Sequence, residues 1–381
     1  MMTEQEHNDE QCTMNNVQWR KVKLGEVAKT FTGLTYSPNC IDKSGTLVLR
    51  SSNIKDGQLC FEDNVFVSMD IPERAIVQEN DILICVRNGS RNLIGKCALI
   101  TKDAVGMAFG AFMTVLRTNI IDPKLLLYIW QSNNIQRQVA NNIGATINQI
   151  TNADFNRFEI SYPESLSTQR RIAAILASAD KVIAATQKTI AKYKQIKQGM
   201  MEDLLKPKEG WKMVKLGECC EDIFSGKNTT RQDFGKYVVY GSTGPIGYSE
   251  DYEYDFDAVL VARVGANAGL VNKVSGLYDV SDNTLIIKIL RNVDLNYMHY
   301  LLIRLNLNQF IFGSGQPLVT AGLLKKIEIP IPYKNNIPDL TEQRRIAAIL
   351  SGIDAKIAAE EKVLQKYEKV KKGLMEKLLN E

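Results

Sequence analysis

Histidine is scarce in this chain, which has two among its 381 residues, His7 and His299. One internal histidine leaves no credible Ser/His/Asp or Cys/His set for nucleophilic catalysis, and two distant histidines argue against a zinc site. No P-loop is present, because the nearest glycine run, residues 89–97, has the wrong spacing and ends in cysteine instead of serine or threonine. The Pro-Pro dipeptide of the Asn/Asp-Pro-Pro-aromatic methyltransferase motif is also missing. These absences predict a chain with no catalytic chemistry of its own.

Long apolar runs are missing as well, so no membrane span is predicted. Residues 1–18 are polar and acidic and lack the basic and apolar regions of a secretion signal, which predicts a disordered tail. The seven cysteines are odd in number and show no C-x-x-C spacing. That pattern is typical of free thiols in a reducing compartment, and we therefore expect a cytoplasmic protein.

A strong excess of basic charge is the last absence, since the formal net charge is only +4. Residues 169–205 and 343–379 each carry about +4, and the acidic tail carries about −4. A protein that held DNA phosphates by itself would usually show a basic face. If this chain binds DNA, we expect a partner to supply much of the affinity.

An internal repeat is the strongest feature that is present. Residues 19–26 (WRKVKLGE) return as residues 211–218 (WKMVKLGE), and residues 169–176 (QRRIAAIL) return unchanged as residues 343–350. Two repeats of nearly 200 residues are too long for a solenoid and indicate duplicated domains. The chain is therefore built from two related halves.

The interiors of the two halves, residues 30–164 and 224–339, show little likeness to each other. Near-identity at the edges with divergent middles is typical of a shared scaffold that carries two different reading heads. Both interiors are predicted to be mixed α/β. Predicted strands are 46–50, 81–86, 96–100, 112–116, 258–261 and 284–289, and predicted short helices are 124–134 and 295–306.

Each half ends in a long helix whose apolar residues follow an alternating four-three spacing, which predicts a coiled coil. The apolar positions of this seam are Ile172, Leu176, Ile183, Ile190, Tyr193, Met200, Leu204, Ile346, Leu350, Ile357, Leu364, Tyr367, Leu374 and Leu378. Polar interruptions fall at matching places, at Thr186 and Glu360 and at Lys197 and Lys371. Such interruptions fix register or mark a place where another chain packs. The alternative is that both helices are ordinary core helices that pair only with each other.

Capping residues and prolines set the expected boundaries of these helices. Ser167 or Thr168, and Thr341, are plausible N-caps. The predicted division of the chain is a disordered tail (1–18), a first globular head (19–164), a central helix (165–206), a linker (207–210), a second globular head (211–339) and a C-terminal helix (340–381).

A lone carboxylate pattern gives the only hint of nuclease chemistry. Asp339, followed by Asp354 and Lys356, superficially fits a metal-dependent nuclease. However, Asp354 lies on the predicted long helix, where metal ligands could not easily converge, and its repeat partner Asp180 has no matching lysine. Solvated helix charges are the better interpretation of these residues.

The paired motifs at 19–26 and 211–218, with those that open the two helices at 168–176 and 341–350, resemble the specificity subunit of type I restriction–modification systems. The segments 144–146 and 315–317, each about 25 residues before its helix, are also similar. The resemblance implies two target-recognition domains joined by two long antiparallel coiled-coil helices, with a pseudo-two-fold repeat. It implies a bipartite, asymmetric double-stranded DNA target.

The resemblance also implies partners, namely two modification (methyltransferase) subunits and two restriction (motor-nuclease) subunits. S-adenosylmethionine, ATP and Mg²⁺ would be used by those partners, and this chain would bind no cofactor or metal. Helices of about 37 residues are about 55 Å long, which exceeds the roughly 34 Å of one DNA turn. Laid antiparallel, they would place the two heads at opposite ends, each on its own half-site.

Within each head, loops rich in Arg, Asn, Ser and Gly are the candidates for DNA contact, because they can approach base edges or phosphates. An ordinary polar turn is the alternative for each of them. The candidate DNA-binding residues are Arg50, Ser52, Asn53, Arg87, Asn88, Ser90, Arg91, Asn92, Thr146, Ser242, Thr243, Arg263, Asn267 and Gln316.

Three functions therefore compete. The first is a non-catalytic DNA-reading subunit of a larger enzyme, the second is an enzyme that acts alone, such as a nuclease, and the third is a coiled-coil scaffold that never reads sequence. DNA cleavage or methylation by the purified chain without partners would favour the second. Replacement of one interior should change one half of the target under the first hypothesis and should change nothing under the third.

Overall fold

A computed structural model describes residues 17–143, 149–310 and 318–379. The predicted tail therefore lies almost wholly outside the described residues. The chain divides into two compact units, one formed by residues 1–185 and 365–381 and the other by residues 186–364. Each long helix contributes residues to both units. Neither unit coincides with a head alone, because each contains one head, the start of the helix that follows it and the end of the other long helix.

The first unit holds a head of short strands and helices. In chain order its elements are β1 (Trp19–Lys23), α1 (Leu24–Val27), β2 (Lys29–Thr32), β3 (Ile41–Leu49), β4 (Ile54–Lys55), β5 (Gln58–Leu59), β6 (Phe66–Val67), β7 (Ile82–Cys85), β8 (Cys97–Leu99), β9 (Ala108–Phe109), β10 (Met113–Arg117), α2 (Pro123–Gln131), α3 (Asn133–Asn142), α4 (Asn152–Arg157), β11 (Glu159–Pro163) and the long helix α5 (Leu166–Leu204).

The second unit follows this order without a counterpart of the β4–β5 pair among its described residues. Its elements are β12 (Trp211–Lys215), β13 (Cys220–Ser225), β14 (Tyr237–Gly241), β15 (Gly244–Ser249), β16 (Ala258–Ala262), β17 (Val271–Val274), β18 (Tyr278–Val280), β19 (Thr284–Ile289), α6 (Leu295–Arg304), α7 (Ala321–Lys326), β20 (Glu328–Lys334), β21 (Ile337–Pro338) and the long helix α8 (Leu340–Leu378). The 3-10 turn Leu216–Cys219 takes the place of α1.

The sheets of the two units have the same topology. A four-stranded antiparallel sheet is ordered β2-β10-β7-β8 in the first unit and β13-β19-β16-β17 in the second. Next to it, β3 pairs in parallel with β9, and β14 pairs in parallel with β18. The interiors that looked unrelated in sequence therefore share one fold. The expected mixed α/β class, with two domains, two long helices and an internal repeat, is confirmed.

The first repeated motif forms the strand that closes each head. Trp19 pairs with Pro163 and Lys23 with Glu159 in β1–β11, and β12 pairs in the same register with β20. Both strands show the same burial pattern, in which the first and fourth residues are half-buried and the other three are exposed. Because β11 leads directly into α5, this ladder joins the start of the head to its long helix. The repeated motif thus forms part of the scaffold that both units share.

The long helices bury the predicted seam. In α5 each of the ten seam positions from Ile172 to Leu204, including Thr186 and Lys197, is buried or half-buried. In α8 the same holds for nine of ten, and only Tyr367 is exposed, at 38%. In the second unit Lys194 pairs with Glu361 and Lys197 with Asp354, so the two helix segments there run antiparallel.

The predicted caps of the long helices were wrong by two or three residues. The helices begin at Leu166 and Leu340, earlier than Ser167, Thr168 or Thr341 would allow. The side chain of Asp339 accepts hydrogen bonds from the amides of Thr341 and Glu342, at 3.0 and 3.1 Å, and Ser165 Oγ accepts one from Thr168. A leucine occupies the first helical position in both helices. Sequence patterns alone therefore did not identify the observed caps before it, Ser165 and Asp339.

Three further observations concern stability and environment. No helix among the described residues is long and apolar enough to span a membrane. The six cysteines of the described ranges are free thiols, and Cys12 lies outside those ranges. His299 lies on α6, and its Nδ1 atom is buried without a hydrogen-bond partner among the described residues. Burial lowers the pKa of His299 from the usual 6.5 to about 4, and Lys273 and Lys197 act in the same direction.

This histidine should make the fold sensitive to acid. It is neutral in the folded protein, whereas the unfolded chain takes up a proton near pH 6.5, so its stabilising contribution is present above pH 6.5 and is lost as the pH falls towards 4. We expect wild type to lose about 2 kcal/mol more than His299→Gln between pH 7 and 4.5. Urea unfolding at both pH values measures this difference. A free-energy difference between the two proteins that stays constant with pH would contradict it.

Candidate nucleic-acid interface

The loops predicted to contact DNA in the first unit come together in the structure. The Nδ2 atom of Asn88 donates to the Oγ atom of Ser51 at 3.3 Å, and the ammonium of Lys96 donates to the carbonyl of Ser51 at 3.3 Å. Residues 50–53 follow β3 and residues 87–92 follow β7, so two strand ends meet at one edge. The loops form one surface, as a shared reading site requires.

An aromatic residue, Phe112, lines the same surface cavity as Ser51 and Ser52. Phe112 is 57% exposed, which is high for a large apolar side chain. The guanidinium carbon of Arg87 lies 5.2 Å from the centre of its ring, and the amides of Val86 and Arg87 both donate to its backbone carbonyl. Cation–π contact holds the long arginine side chain against the ring. The residue pair presents a flat apolar face beside a positive charge.

The remaining predicted residues of the first head differ in availability. Ser52, Ser90, Arg91 and Asn92 are exposed, and Arg91 also donates to the carbonyl of Ala140 at 3.1 Å. These four residues remain predicted DNA contacts.

Asn53 does not have the exposed position that the sequence suggested. It is fully buried, and its Nδ2 atom donates to the carbonyls of Cys60 and Asp63 and to the Oδ1 atom of Asn64. Its own Oδ1 atom accepts from the amide of Arg50 at 2.9 Å. A side chain committed to four bonds inside a loop cannot also reach a base, and we remove Asn53 from the proposed contact set.

Arg50 borders a surface cavity of about 540 Å³ that Ser51, Ser52 and Phe112 also line. Its guanidinium pairs with Asp63 at 2.9 Å, while its Nε atom is buried without a partner among the described residues. The Asp63 carboxylate neutralises part of the charge of Arg50. Arg50 is therefore less suited than Arg87 to bind a phosphate.

The second unit brings its loops together through one carbonyl. The Oγ atom of Ser242 donates to the backbone oxygen of Asn283 at 3.2 Å, and the amide of Arg263 donates to the same oxygen at 2.9 Å. Thr243 and Asn267 are exposed, and the guanidinium of half-buried Arg263 donates to Ser225 Oγ at 3.3 Å. The same edge of the fold is thus built twice, with different side chains.

The two candidate arginines that follow apolar strands, Arg87 and Arg263, do not occupy equivalent positions. Val86 and Arg263 occupy equivalent positions. Each donates its amide to the carbonyl of the residue before β10 or β19, and each carbonyl accepts from a later amide, that of Ile150 or Val319. Arg87 is one position further along the chain. Neighbouring residues of an extended chain point to opposite sides, which explains why Arg87 is exposed and Arg263 is half-buried.

Two predicted residues, Thr146 and Gln316, lie outside the described ranges, as do the motifs that contain them. Sequence reasoning also missed Phe112 and Asn283. Phe112 was assigned to a strand because it is apolar and precedes an apolar run, but β10 begins one residue later, at Met113. Its position after Gly110 and Ala111, at the end of the loop, was the available signal.

The two lysines that interrupt the helix seam, Lys371 and Lys197, each have a carboxylate partner. In the first unit Asp180 pairs with Lys371 at 2.6 Å and accepts a 2.7 Å hydrogen bond from the hydroxyl of Tyr128. The ammonium of Lys371 also lies 5.6 Å from the centre of the Tyr128 ring. Burial, followed by the Asp180 contact, raises the pKa of the Tyr128 hydroxyl, so Tyr128 stays a neutral donor.

The second unit contains the same triad. Asp354 pairs with Lys197 at 2.7 Å and accepts from the hydroxyl of Tyr300 at 2.6 Å. Burial and Asp354 raise the pKa of Tyr300 to about 12. Each triad joins a head helix, the start of one long helix and the end of the other. The Asp354 carboxylate, considered above as a nuclease residue, is occupied by this ion pair.

Comparison with known proteins identifies the family. The sequence profile described as the type I restriction modification DNA specificity domain matches residues 16–196 and, a second time, residues 208–369. The chain belongs to this family. The resemblance drawn from its paired motifs is therefore confirmed, and the chain is a type I restriction–modification specificity subunit.

Other specificity subunits align over different lengths. The putative type I restriction enzyme MjaX specificity subunit of Methanocaldococcus jannaschii is 26% identical over 412 residues, covering 95% of this chain and 92% of that subunit. The type I restriction enzyme EcoprrI specificity subunit of Escherichia coli is 26% identical over 118 residues, 31% of this chain and 28% of that subunit. The chain thus matches little more than a quarter of the E. coli subunit.

Solved structures of specificity subunits share the fold. The S subunit of the M. genitalium type I restriction–modification system matches with a TM-score of 0.61 at 18% identity, covering 97% of this chain and 98% of that chain. A second chain, from a structure described as the basis of complex assembly and conformational transition of the type I R-M system, gives 0.58 at 19% identity, covering 96% and 99%. At these identities the likeness concerns the fold.

Proposed function

We propose that this specificity subunit is non-catalytic and recognises a bipartite, asymmetric double-stranded DNA target, one half with each head. The observation that carries the proposal is a matched edge built twice, from residues 50–53 and 87–92 in one unit and from residues 241–243 and 263–267 in the other. The backbone arrangement of this edge is the same in both units, and the side chains on it differ. Two equal frames with unlike surfaces suit two half-sites of unlike sequence.

The helices support a second part of the proposal, the positioning of partner subunits. Near-identical sequences at 169–176 and 343–350 give two related surfaces, which suits two copies of a modification subunit, with two restriction subunits joining the complex. S-adenosylmethionine, ATP and Mg²⁺ are assigned to those partners. Among the described residues no group of three potential metal ligands occurs. The small net charge agrees with a chain that depends on partners for DNA affinity.

Exchange of one head tests the proposal. Residues 30–164 are replaced by the corresponding interior of a relative with a different target, and the complex with the modification subunits is expressed in a host whose methylated sites are then mapped. We expect one half of the site to change completely and the other half to remain, because each head contacts its own bases.

Exchange of residues 224–339 is the matched control and should alter only the other half. If both halves moved together after a single exchange, independent reading by two heads would be ruled out. A scaffold that never reads sequence predicts that neither exchange changes the methylated sites.

A further inference from the structure

One backbone position that both units share carries a different side chain in each of them. Backbone hydrogen bonds identify this position without reference to sequence similarity. In the first unit Gly110 donates to Leu49 and Met113 donates to Gly110. In the second unit Ser281 donates to Tyr240, and Thr284 donates to Ser281.

The residue between these two fixed points is Phe112 in the first unit and Asn283 in the second. Its carbonyl receives the amide at the end of the neighbouring strand, from Val86 in one case and Arg263 in the other. Phe112 immediately precedes β10, Asn283 immediately precedes β19, and both residues are exposed. The backbone at this position is therefore the same, and only the side chain differs.

The backbone around the position allows little adjustment. A Cβ atom at Gly33 would lie 2.2 Å from the carbonyl oxygen of Gly110, and one at Gly226 would lie 2.4 Å from that of Ser281. Glycine at these places lets two backbone segments approach closely. Because the frame is held tightly in both units, the side chain that it presents has a defined direction. Such rigid placement is what base recognition requires.

The chemistry of the two side chains differs in a way that matters for DNA. A phenyl ring can contact the methyl group of thymine in the major groove, whereas an asparagine amide can form two hydrogen bonds with adenine. The guanidinium of Arg87 packs against the Phe112 ring, so a positive charge lies beside the apolar surface of the ring. Asn283 is preceded by the exposed acid Asp282, which disfavours phosphate at that place.

We infer that this shared position selects one base in each half-site, thymine through Phe112 and adenine through Asn283. The inference rests on the proposed function and deepens it by naming the side chain and base at one position of each half. Ser51 and Ser242, which flank the position in both units, belong to the frame. The difference between the two half-sites is carried in part by this one residue.

Methylation mapping of single variants in the complete complex tests the inference. For Phe112→Asn we expect the preference for thymine at one position of the first half-site to fall roughly 10-fold, because one apolar base contact is lost. For Asn283→Asp we expect adenine to be exchanged for cytosine at one position of the other half, since a carboxylate accepts from the cytosine amine. The unaltered half serves as the internal reference in both cases.

Ile120→Asn is the matched control. Ile120 is 51% exposed and lies after the C-terminal end of β10, away from the candidate loops. The Ile120→Asn variant therefore removes an exposed apolar side chain, as Phe112→Asn does, but at a different place. It should leave both half-sites unchanged. Unchanged preferences in Phe112→Asn and Asn283→Asp, or a uniform decrease at every site, would overturn the inference. If head exchange moves a half-site while these variants do not, the proposed function stands and only this inference fails.

Discussion

Gln169→Leu is expected to destabilise the first unit by about 3 kcal/mol, a larger effect than any single surface change should have. Gln169 is 2% exposed and lies in the first turn of α5. Its Oε1 atom accepts from the amide of Asp122 and its Nε2 atom donates to the carbonyl of Pro163, both at 2.8 Å. Leucine fills the same space but leaves a buried carbonyl and a partly buried amide without partners, at about 1–3 kcal/mol for each group.

The equivalent substitution in the second unit, Gln343→Leu, should cause a smaller loss of stability. Gln343 is fully buried and accepts from the amide of Asp294 at 2.8 Å, but its Nε2 atom is buried without a partner among the described residues. Gln343→Leu therefore breaks one bond and also removes an unsatisfied donor, so we expect a loss of about 1 kcal/mol. The same residue in the same repeated motif should thus differ in importance between the two units.

Hydrogen exchange and urea unfolding of the full chain measure both effects. Exchange should accelerate most in α2 for Gln169→Leu and in α6 for Gln343→Leu, because each glutamine contacts the residue that caps that helix. Gln365→Leu, an exposed position on α8, is the control and should change stability by less than about 0.5 kcal/mol. Equal losses for the two buried variants would show that the second bond of Gln169 contributes nothing.

The fold was largely predictable because its signals are local. The heptad spacing from Ile172 to Leu204 predicted α5, and the repeated motif predicted two related domains. Short apolar runs located the strands, and β16 and β19 begin where predicted, at Ala258 and Thr284. The helix and strand signals depend on residues close together along the chain, where periodicity and turn residues are informative.

The candidate interface was less predictable because burial in loops depends on distant residues. Asn53 has the composition of a contact residue, but carbonyls from residues 60 and 63 enclose it. Phe112 has the composition of a core residue, but its neighbours leave it exposed. Lys197 and Lys371 were recognised as interruptions of the seam, yet their partners lie about 157 and 191 residues away in the chain. Spacing alone does not reveal which helix faces which.

Lys371→Glu is expected to destabilise the first unit by about 2–4 kcal/mol. The side chain of Lys371 is 20% exposed, and its ammonium lies 2.6 Å from the Asp180 carboxylate. The same carboxylate accepts a hydrogen bond from the hydroxyl of Tyr128. Glutamate at this place sets two carboxylates side by side in a partly buried site, which costs more than loss of a surface ion pair. The antiparallel pairing of the segments would then be disfavoured, and methylation by the assembled complex should fall with it.

Reversal of the pair separates charge from packing. Asp180→Lys combined with Lys371→Glu restores opposite charges, and we expect at least half of the lost stability to return, as a double-mutant cycle measures. The equivalent residues Asp354 and Lys197 give a second, independent cycle in the other unit. Recovery is expected to be incomplete, because a lysine at position 180 can no longer accept the hydrogen bond that Tyr128 donates. No recovery at all would mean that the seam is held by apolar packing and that these ion pairs do not set its register.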